Sequence, residues 1–150
     1  MASNPSSSDE YIGNSGLNIV TFNLHGFKRN WSYLQELTVS NDIIFVQEHW
    51  LLTSELDLLQ KINSDFLVFA KSSMDERSRE GLLNGRPFGG VAVFIRKTVS
   101  HIVNFCNSDQ DGKVICVKII NDALSVIVFG CYFPCNDIHL RIWKNLPEYL

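Results

Sequence analysis

The feature that most constrains the fold is the apolar run Ile43-Ile44-Phe45-Val46, which is followed at once by the polar pair Gln47-Glu48. Consecutive apolar residues show no alternation between two faces, so the run predicts a strand that is buried on both sides. Such strands are typical of α/β sheets with parallel neighbours. The carboxylate of Glu48 then lies at the strand end, where open α/β sheets tend to bind ligands.

The sequence around this strand predicts an alternation of strands and helices. Leu17 to Asn23 alternates as a strand does, and Asn30 is a candidate N-cap for a helix that carries an apolar stripe. A second helix follows Thr53 or Ser54. Further strands are predicted over residues 66–70, 91–96, 114–120 and 124–132, the last two as a hairpin with its turn at 121–123, and an amphipathic helix over 137–150. This order indicates an α/β domain built on a mixed sheet.

Composition and length place limits on the class of protein. The 150 residues suit one domain, and the apolar and charged fractions of 45% and 19% are ordinary for a globular protein. The first residues are small, polar and Ser-rich, so residues 1–16 are predicted to be a disordered tail rather than a secretory signal. No apolar run is long enough for a membrane span. We therefore expect a protein that is intracellular, nuclear or cytoplasmic, and not secreted.

Two polar side chains are candidates for a metal-dependent site. Asn23 and Glu48 each end a predicted strand, and parallel neighbouring strands would bring them to the same sheet edge. Mg²⁺ is commonly bound by one or two carboxylates together with substrate phosphates. A Glu at a strand end is usually only solvated, and an Asn there is usually a turn residue, so this alternative stays open. The net charge of −3 argues against tight non-specific nucleic-acid binding, although a metal ion could still bind phosphate.

Four segments resemble those of endonuclease/exonuclease/phosphatase domains in their order and approximate spacing. They are TFNLHGF, DIIFVQEHW, GRPFGGVAVFIRK and GCYFPCND, within residues 17 to about 137. The likeness is greatest to the apurinic-like endonucleases of non-LTR retrotransposons. It implies the N-terminal half of a four-layer α/β-sandwich with a mixed sheet and flanking helices, and a domain assigned to residues 17–150.

The resemblance also implies roles for individual residues. Glu48 would bind Mg²⁺ or Mn²⁺, Asn23 would orient groups beside the metal, and the Tyr132 hydroxyl would reach the scissile phosphate. Gly89, with the glycine that follows it, would allow close backbone packing, and Arg86 would contact the nucleic-acid backbone. DNA is the implied partner of an intact domain. Tyr132 could equally be a core residue with a solvated hydroxyl, and Arg86 a solvated loop charge.

Related domains contain further acidic and histidine motifs in a second half, which the chain up to Leu150 does not show. The expectation is therefore a truncated, inactive copy of a retrotransposon DNA endonuclease. Alternatives are another phosphoesterase of this fold, such as a phosphoinositide phosphatase, sphingomyelinase or deadenylase, or a non-catalytic binding fragment. An uncovered sheet face bearing Val126 and Val128 would favour self-association. His25 and His49 are expected to line the substrate site or to be incidental.

Overall fold

The computed structural model describes residues 16–75, 88–122 and 124–133. Residues 1–15 of the predicted tail, Arg86 and the predicted helix over 137–150 lie outside the described residues. The elements are β1 (Ile19–Asn23), α1 (Phe27–Ser40), β2 (Ile43–Gln47), a 3₁₀ turn (Thr53–Glu55), α2 (Asp57–Gln60), β3 (Phe66–Lys71), β4 (Val91–Arg96), a second 3₁₀ turn (Lys97–Val99), β5 (Val103–Ser108), β6 (Val114–Ile120) and β7 (Ser125–Cys131). None of the described helices is long and apolar enough to cross a membrane.

The first sheet is mixed, as the sequence predicts. Its strand order is β1-β2-β4-β3, with β1 parallel to β2 and β4 antiparallel to both of its neighbours. Every residue of β2 is buried, which confirms the prediction made from its unbroken apolar run. The pairing of β1 with β2 is in register from Ile19 opposite Ile43 to Asn23 opposite Gln47. The carboxyl ends of the two strands therefore lie side by side.

The second sheet is antiparallel, in the order β5-β6-β7. The predicted hairpin of β6 and β7 is confirmed, but β5 was not predicted. Its sequence contains Asn104, Asn107 and Ser108, which are residues that strands generally disfavour. A register shift between Phe105 and Asn107 also breaks the period of two by which strands are recognised.

The two sheets pack face to face and cover most of the sheet face that was expected to be uncovered, although Ile19 at its edge stays exposed. Alternate residues of β2 and β4 contact residues of β5 and β6 in one buried cluster: Ile43, Phe45, Val91, Val93, Ile95, Val103, Ile115, Val117 and Ile119. Val126 and Val128 pack against this cluster, so they point between the sheets and not outward. A second cluster on the opposite face of the first sheet includes Leu34 of α1 and Leu59 of α2. The described residues thus form three layers.

Helix α1 begins earlier than predicted. Asn30 is not its N-cap, because the helix starts at Phe27 and Asn30 lies inside it with non-helical angles, φ −124° and ψ 15°. Its side-chain amide instead donates to the carbonyl oxygens of Leu24 and His25, at 2.9 and 3.2 Å. The polar residue that looked like a helix start therefore stabilises the loop between β1 and α1. The predicted second helix is reduced to the 3₁₀ turn and the single turn of α2.

Arg96 stabilises the end of the first sheet at which β2 begins, away from Asn23 and Gln47. Its guanidinium donates to the Asp42 carboxylate at 3.2 Å and to the carbonyl oxygens of Thr38 and Asn41 at 2.6 and 2.8 Å. It also lies over the Phe66 ring, 4.7 Å from the centroid. One planar side chain thus connects β4, β3 and the end of α1.

We predict that Arg96→Lys lowers the free energy of unfolding by about 2 kcal/mol, because an ammonium group cannot reproduce this branched set of charge-assisted bonds. Urea unfolding followed by circular dichroism measures the change. Lys61→Met is the control, since Lys61 pairs with Asp57 on an exposed helix surface and its loss should have little effect. Equal losses in the two variants would contradict the assignment.

Candidate functional site

The backbone pairing of β1 and β2 continues past both strands into the loops that follow them. The amides of Leu24, Gly26 and Phe27 donate to the carbonyl oxygens of Gln47, Glu48 and His49 at 2.8, 2.8 and 2.9 Å. These bonds join two irregular loops along their length. The side chains at the carboxyl edge of the sheet are therefore presented by a connected backbone.

These two loops contain unusual backbone conformations. Within the described ranges, His25, Glu48 and Trp50 are the non-glycine residues with left-handed φ, at 53°, 56° and 59°. Each such residue costs about 1 kcal/mol or more unless its surroundings impose the conformation. Gly26 has φ 98°, and a Cβ there would lie 2.6 Å from the Trp50 ring. Such concentration of strain at one sheet edge is typical of a functional site.

Asn23 and Glu48 lie together, as the sequence predicts. The Asn23 amide donates to Glu48 Oε1 at 3.1 Å, and His25 Nδ1 lies 3.3 Å from Glu48 Oε2. The Glu48 side chain is 14% exposed, whereas that of His25 is 54% exposed. The His25 ring also packs against Trp50, with centroids 4.9 Å apart. Both carboxylate oxygens of Glu48 are thus oriented by neighbours while the group stays accessible at the surface.

His49 is not part of the surface, which excludes the first of the two roles expected for it, lining the substrate site, and leaves the second, an incidental one. It is completely buried. Its Nε2 donates to the Lys71 carbonyl oxygen at 3.0 Å, and its Nδ1 accepts from the Leu51 amide at 3.1 Å. These partners require the neutral ring with its proton on Nε2. Burial of the ring lowers its pKa to about 4. No sequence pattern indicates this burial, because His49 stands between two polar or amphipathic residues.

Gly89 and Gly90 allow the close packing that the resemblance implies. Gly89 has φ 75°, and a Cβ there would lie 2.9 Å from Ser73 and 3.9 Å from the Tyr132 ring. Its carbonyl oxygen accepts from the Trp50 amide at 3.2 Å. A Cβ on Gly90 would lie 2.5 Å from the His49 ring. The start of β4 is therefore in contact with the Glu48 loop on one side and with Tyr132 on the other.

Tyr132 follows β7 and is fixed by its amide, which donates to the Lys113 carbonyl oxygen at 2.7 Å. It is partly exposed, and part of the side chain packs against the cluster between the sheets. Ser73, which sequence reasoning missed, accepts from the Gly90 amide at 2.9 Å and donates to the Asp111 carbonyl oxygen at 2.8 Å. It connects the ends of β3 and β4 to the β5–β6 turn, and no sequence motif marks it.

The residues at this edge suit a weakly coordinated hard cation. In the described parts of the chain no group of three or more Cys, His, Asp or Glu side chains is arranged to bind a metal. Mg²⁺ does not need one, since it retains several waters and is often bound through one or two carboxylates and substrate phosphates. Glu48 supplies such a carboxylate. Its accessible, pre-oriented oxygens fit the Mg²⁺ or Mn²⁺ that the resemblance implies.

No protein-family model and no curated protein matches the sequence. Solved structures do match. The AP endonuclease LMAP from Leishmania major superposes with a TM-score of 0.59 at 15% identity, over 79% of this chain and 40% of that chain. The chain has part of the endonuclease/exonuclease/phosphatase fold. At this identity the likeness concerns the fold alone.

Two other structures match less closely. The 3′ phosphatase NExo from Neisseria, bound to product DNA hairpin, is 20% identical over 75% of this chain and 40% of that chain, with a TM-score of 0.48. The endonuclease domain of TRAS1, a telomere-specific non-LTR retrotransposon, is 14% identical over 79% and 46%, with a TM-score of 0.48. The chain thus spans less than half the length of each of these three structures.

We predict that stability falls as the pH is lowered because of His49. Its pKa is 6.5 in the unfolded chain and about 4 in the folded protein, so between these values only the unfolded chain binds the proton. The folded state should lose about 3 kcal/mol across this window. His49→Gln removes the contribution, so urea unfolding at several pH values should show the two proteins converging in acid. Parallel pH dependences would contradict a buried neutral ring.

Proposed function

We propose that this chain carries part of the active site of a metal-dependent phosphodiesterase that acts on DNA, of the type found in retrotransposon endonucleases. The observation that carries the proposal is the carboxylate of Glu48, pre-oriented by Asn23 at the carboxyl edge of a mixed sheet. The four sequence motifs support the choice of the retrotransposon group. Other phosphoesterases of the same fold remain the alternative, because fold alone does not determine the substrate.

The roles follow from the positions of the side chains. Glu48 would hold Mg²⁺ or Mn²⁺. Asn23 would keep the Glu48 carboxylate directed outward through the hydrogen bond that its side-chain amide donates. Tyr132, next to Gly89, would donate a hydrogen bond from its hydroxyl to a phosphate oxygen. A bound divalent ion would polarise the phosphate and neutralise charge that develops in the transition state. Gly89, which has no side chain, lets the protein backbone pack closely beside the site. Arg86, outside the described residues, is proposed to contact the phosphate backbone of DNA.

We further propose that this stretch of chain does not cleave DNA by itself. Within the described residues the one carboxylate at the site is the proposed metal ligand, and the His25 imidazole is paired with that carboxylate, whereas phosphoester hydrolysis also needs a separate group that activates the attacking water. The 150-residue protein is therefore expected to bind the metal ion but not to hydrolyse DNA.

The first test is Mn²⁺ affinity, measured by electron paramagnetic resonance. Glu48→Gln should weaken binding at least tenfold, because it removes the charged ligand. Glu55→Gln is the matched control, since Glu55 is a nearby glutamate whose carboxylate is paired with Lys28 and not with the site. Equal affinities for the Glu48 variant and the unaltered protein would contradict the proposed metal site.

The second test is nicking of supercoiled plasmid with Mg²⁺ or Mn²⁺. The 150-residue protein is expected to give no product above a protein-free control. Metal-dependent nicking that disappears in Glu48→Gln would contradict the proposed inactivity while supporting the site. Nicking that survives this substitution would contradict the assignment of Glu48.

A non-catalytic role is the second candidate, and one observation favours it. Within the described residues β1 and β7 are edge strands, and they border an open cleft of about 420 Å³ that is lined by residues of β1, β2 and β7. Ile19 and Phe129 in these strands are 42% and 40% exposed. Unpaired strand edges with exposed apolar side chains favour association with another chain. We therefore propose that the protein self-associates through these edges.

Sedimentation velocity tests this second candidate. Ile19→Lys and Phe129→Lys should convert any dimer to monomer without loss of secondary structure, because charges on edge strands oppose pairing. Val39→Lys is the control, as Val39 is 81% exposed on α1, which packs on the face of the first sheet opposite the second sheet. A dimer that resists both edge variants, or a protein that is monomeric from the start, would exclude the edges as the self-association surface.

A further inference from the structure

We propose that His49 is the positioning residue of the Glu48 site: its buried imidazole fixes the left-handed backbone that directs the Glu48 carboxylate toward Asn23. The inference rests on the proposed function, because it takes Glu48 to be the metal ligand. His49 itself does not touch the metal or the substrate. It acts from inside the protein, through the adjacent peptide.

The imidazole is bound on both of its nitrogens. Nε2 donates to the carbonyl oxygen of Lys71, the last residue of β3, and Nδ1 accepts from the Leu51 amide two residues along the loop. The first bond connects the loop to a regular strand, and the second closes the loop on itself. Because each nitrogen has a different partner, the ring cannot turn over without losing both bonds.

The space around the ring is also filled. A Cβ built on Gly90 would lie 2.5 Å from His49 Cε1 and 2.6 Å from Nε2, so the ring lies directly against the backbone at the start of β4. The side chain is completely buried. Close packing of this kind leaves one position for the ring, and therefore one position for the His49 Cα to which it is attached.

The backbone on either side of His49 depends on that position. Glu48 and Trp50, its two neighbours, have φ of 56° and 59°, which is a conformation that L-residues adopt only when their surroundings require it. The His49 carbonyl oxygen accepts from the Phe27 amide, and that of Glu48 from the Gly26 amide. With His49 anchored inward, the chain turns so that Glu48 points out of the sheet edge, 3.1 Å from the Asn23 amide.

A side chain that only fills space would affect stability alone, whereas a positioning residue also changes the geometry at Glu48. His49→Phe keeps an aromatic ring but removes both bonds. His49→Gln retains a donor that can reach Lys71, and His49→Asn retains an acceptor placed for the Leu51 amide. Ile119→Ala is the stability control, because Ile119 is buried in β6 in the cluster between the sheets, which includes no residue of the two site loops, so its truncation should cost stability alone.

Two readouts are needed, both on the folded 150-residue protein at neutral pH. The first is Mn²⁺ affinity, which should fall about tenfold in His49→Phe, as is usual for residues that support a metal ligand. His49→Gln and His49→Asn should each recover part of the loss. The second is the NMR resonance of the Asn23 side-chain amide, which reports its bond to Glu48 without any metal. It should move in His49→Phe toward its position in Glu48→Gln.

The outcomes separate the inference from the proposed function. Ile119→Ala should leave both readouts unchanged. If His49→Phe is folded and leaves the Asn23 resonance and the Mn²⁺ affinity unaltered, His49 does not position Glu48. If His49→Phe does not fold, the two other variants decide. If His49→Gln and His49→Asn both have the Mn²⁺ affinity and the Asn23 resonance of the unaltered protein, His49 does not position Glu48. If Glu48→Gln leaves Mn²⁺ affinity unchanged while His49→Phe moves the Asn23 resonance, the proposed metal site fails and the positioning role stands.

Discussion

The hydrogen bonds that continue the β1–β2 pairing past the ends of the strands are the interaction on which the site depends. Parallel pairing brings Asn23 beside Gln47, and the next bonds, from Gly26 to Glu48 and from Phe27 to His49, keep the following loops in contact. Without these hydrogen bonds, each loop could adopt a backbone conformation of lower free energy. With them, residues 25 apart in sequence present a joined amide and carboxylate.

This arrangement has a cost, which the surrounding core offsets. Left-handed conformations at His25, Glu48 and Trp50 are unfavourable individually, and burying the polar His49 ring is favourable only because both of its nitrogens are bonded. The core supplies the stability through β2 and β4, whose apolar residues are buried on both faces of the first sheet. The sheet that positions the site is thus also the element that sustains its strain.

The central part of this fold and site could be predicted from the sequence. The unbroken apolar run of β2 indicated a strand buried on both faces, and the polar residues at the ends of β1 and β2 indicated a shared edge. The start of α1 was misassigned because Asn30 has the chemistry of a helix cap but bonds to a loop. The burial of His49 could not be inferred, since it depends on β3, on Gly90 and on the turn around Trp50, which are contacts between distant segments.

The largest error in the sequence-based prediction concerned the packing of the second sheet. As with His49, the packing depends on contacts between segments that are distant in sequence. The strand β5 is polar and irregular, so its contribution is visible only once β6 pairs with it. The stacking of Phe69 in the first sheet on Phe105 in the second, with centroids 4.4 Å apart, shows how the two layers are joined. Val126 and Val128 were expected on an uncovered sheet, because alternation in a strand shows two faces but does not identify the one that is covered.

The most direct test of the Glu48 metal site is a crystal structure of the chain with Mn²⁺, in which anomalous scattering locates the metal. We predict a single strong peak at coordination distance, about 2.1 Å, from a Glu48 carboxylate oxygen. Glu48 should keep its left-handed φ, and Asn23 should remain hydrogen-bonded to the same carboxylate. A peak elsewhere with none at Glu48, or a Glu48 that has left the left-handed region, would contradict the proposed site.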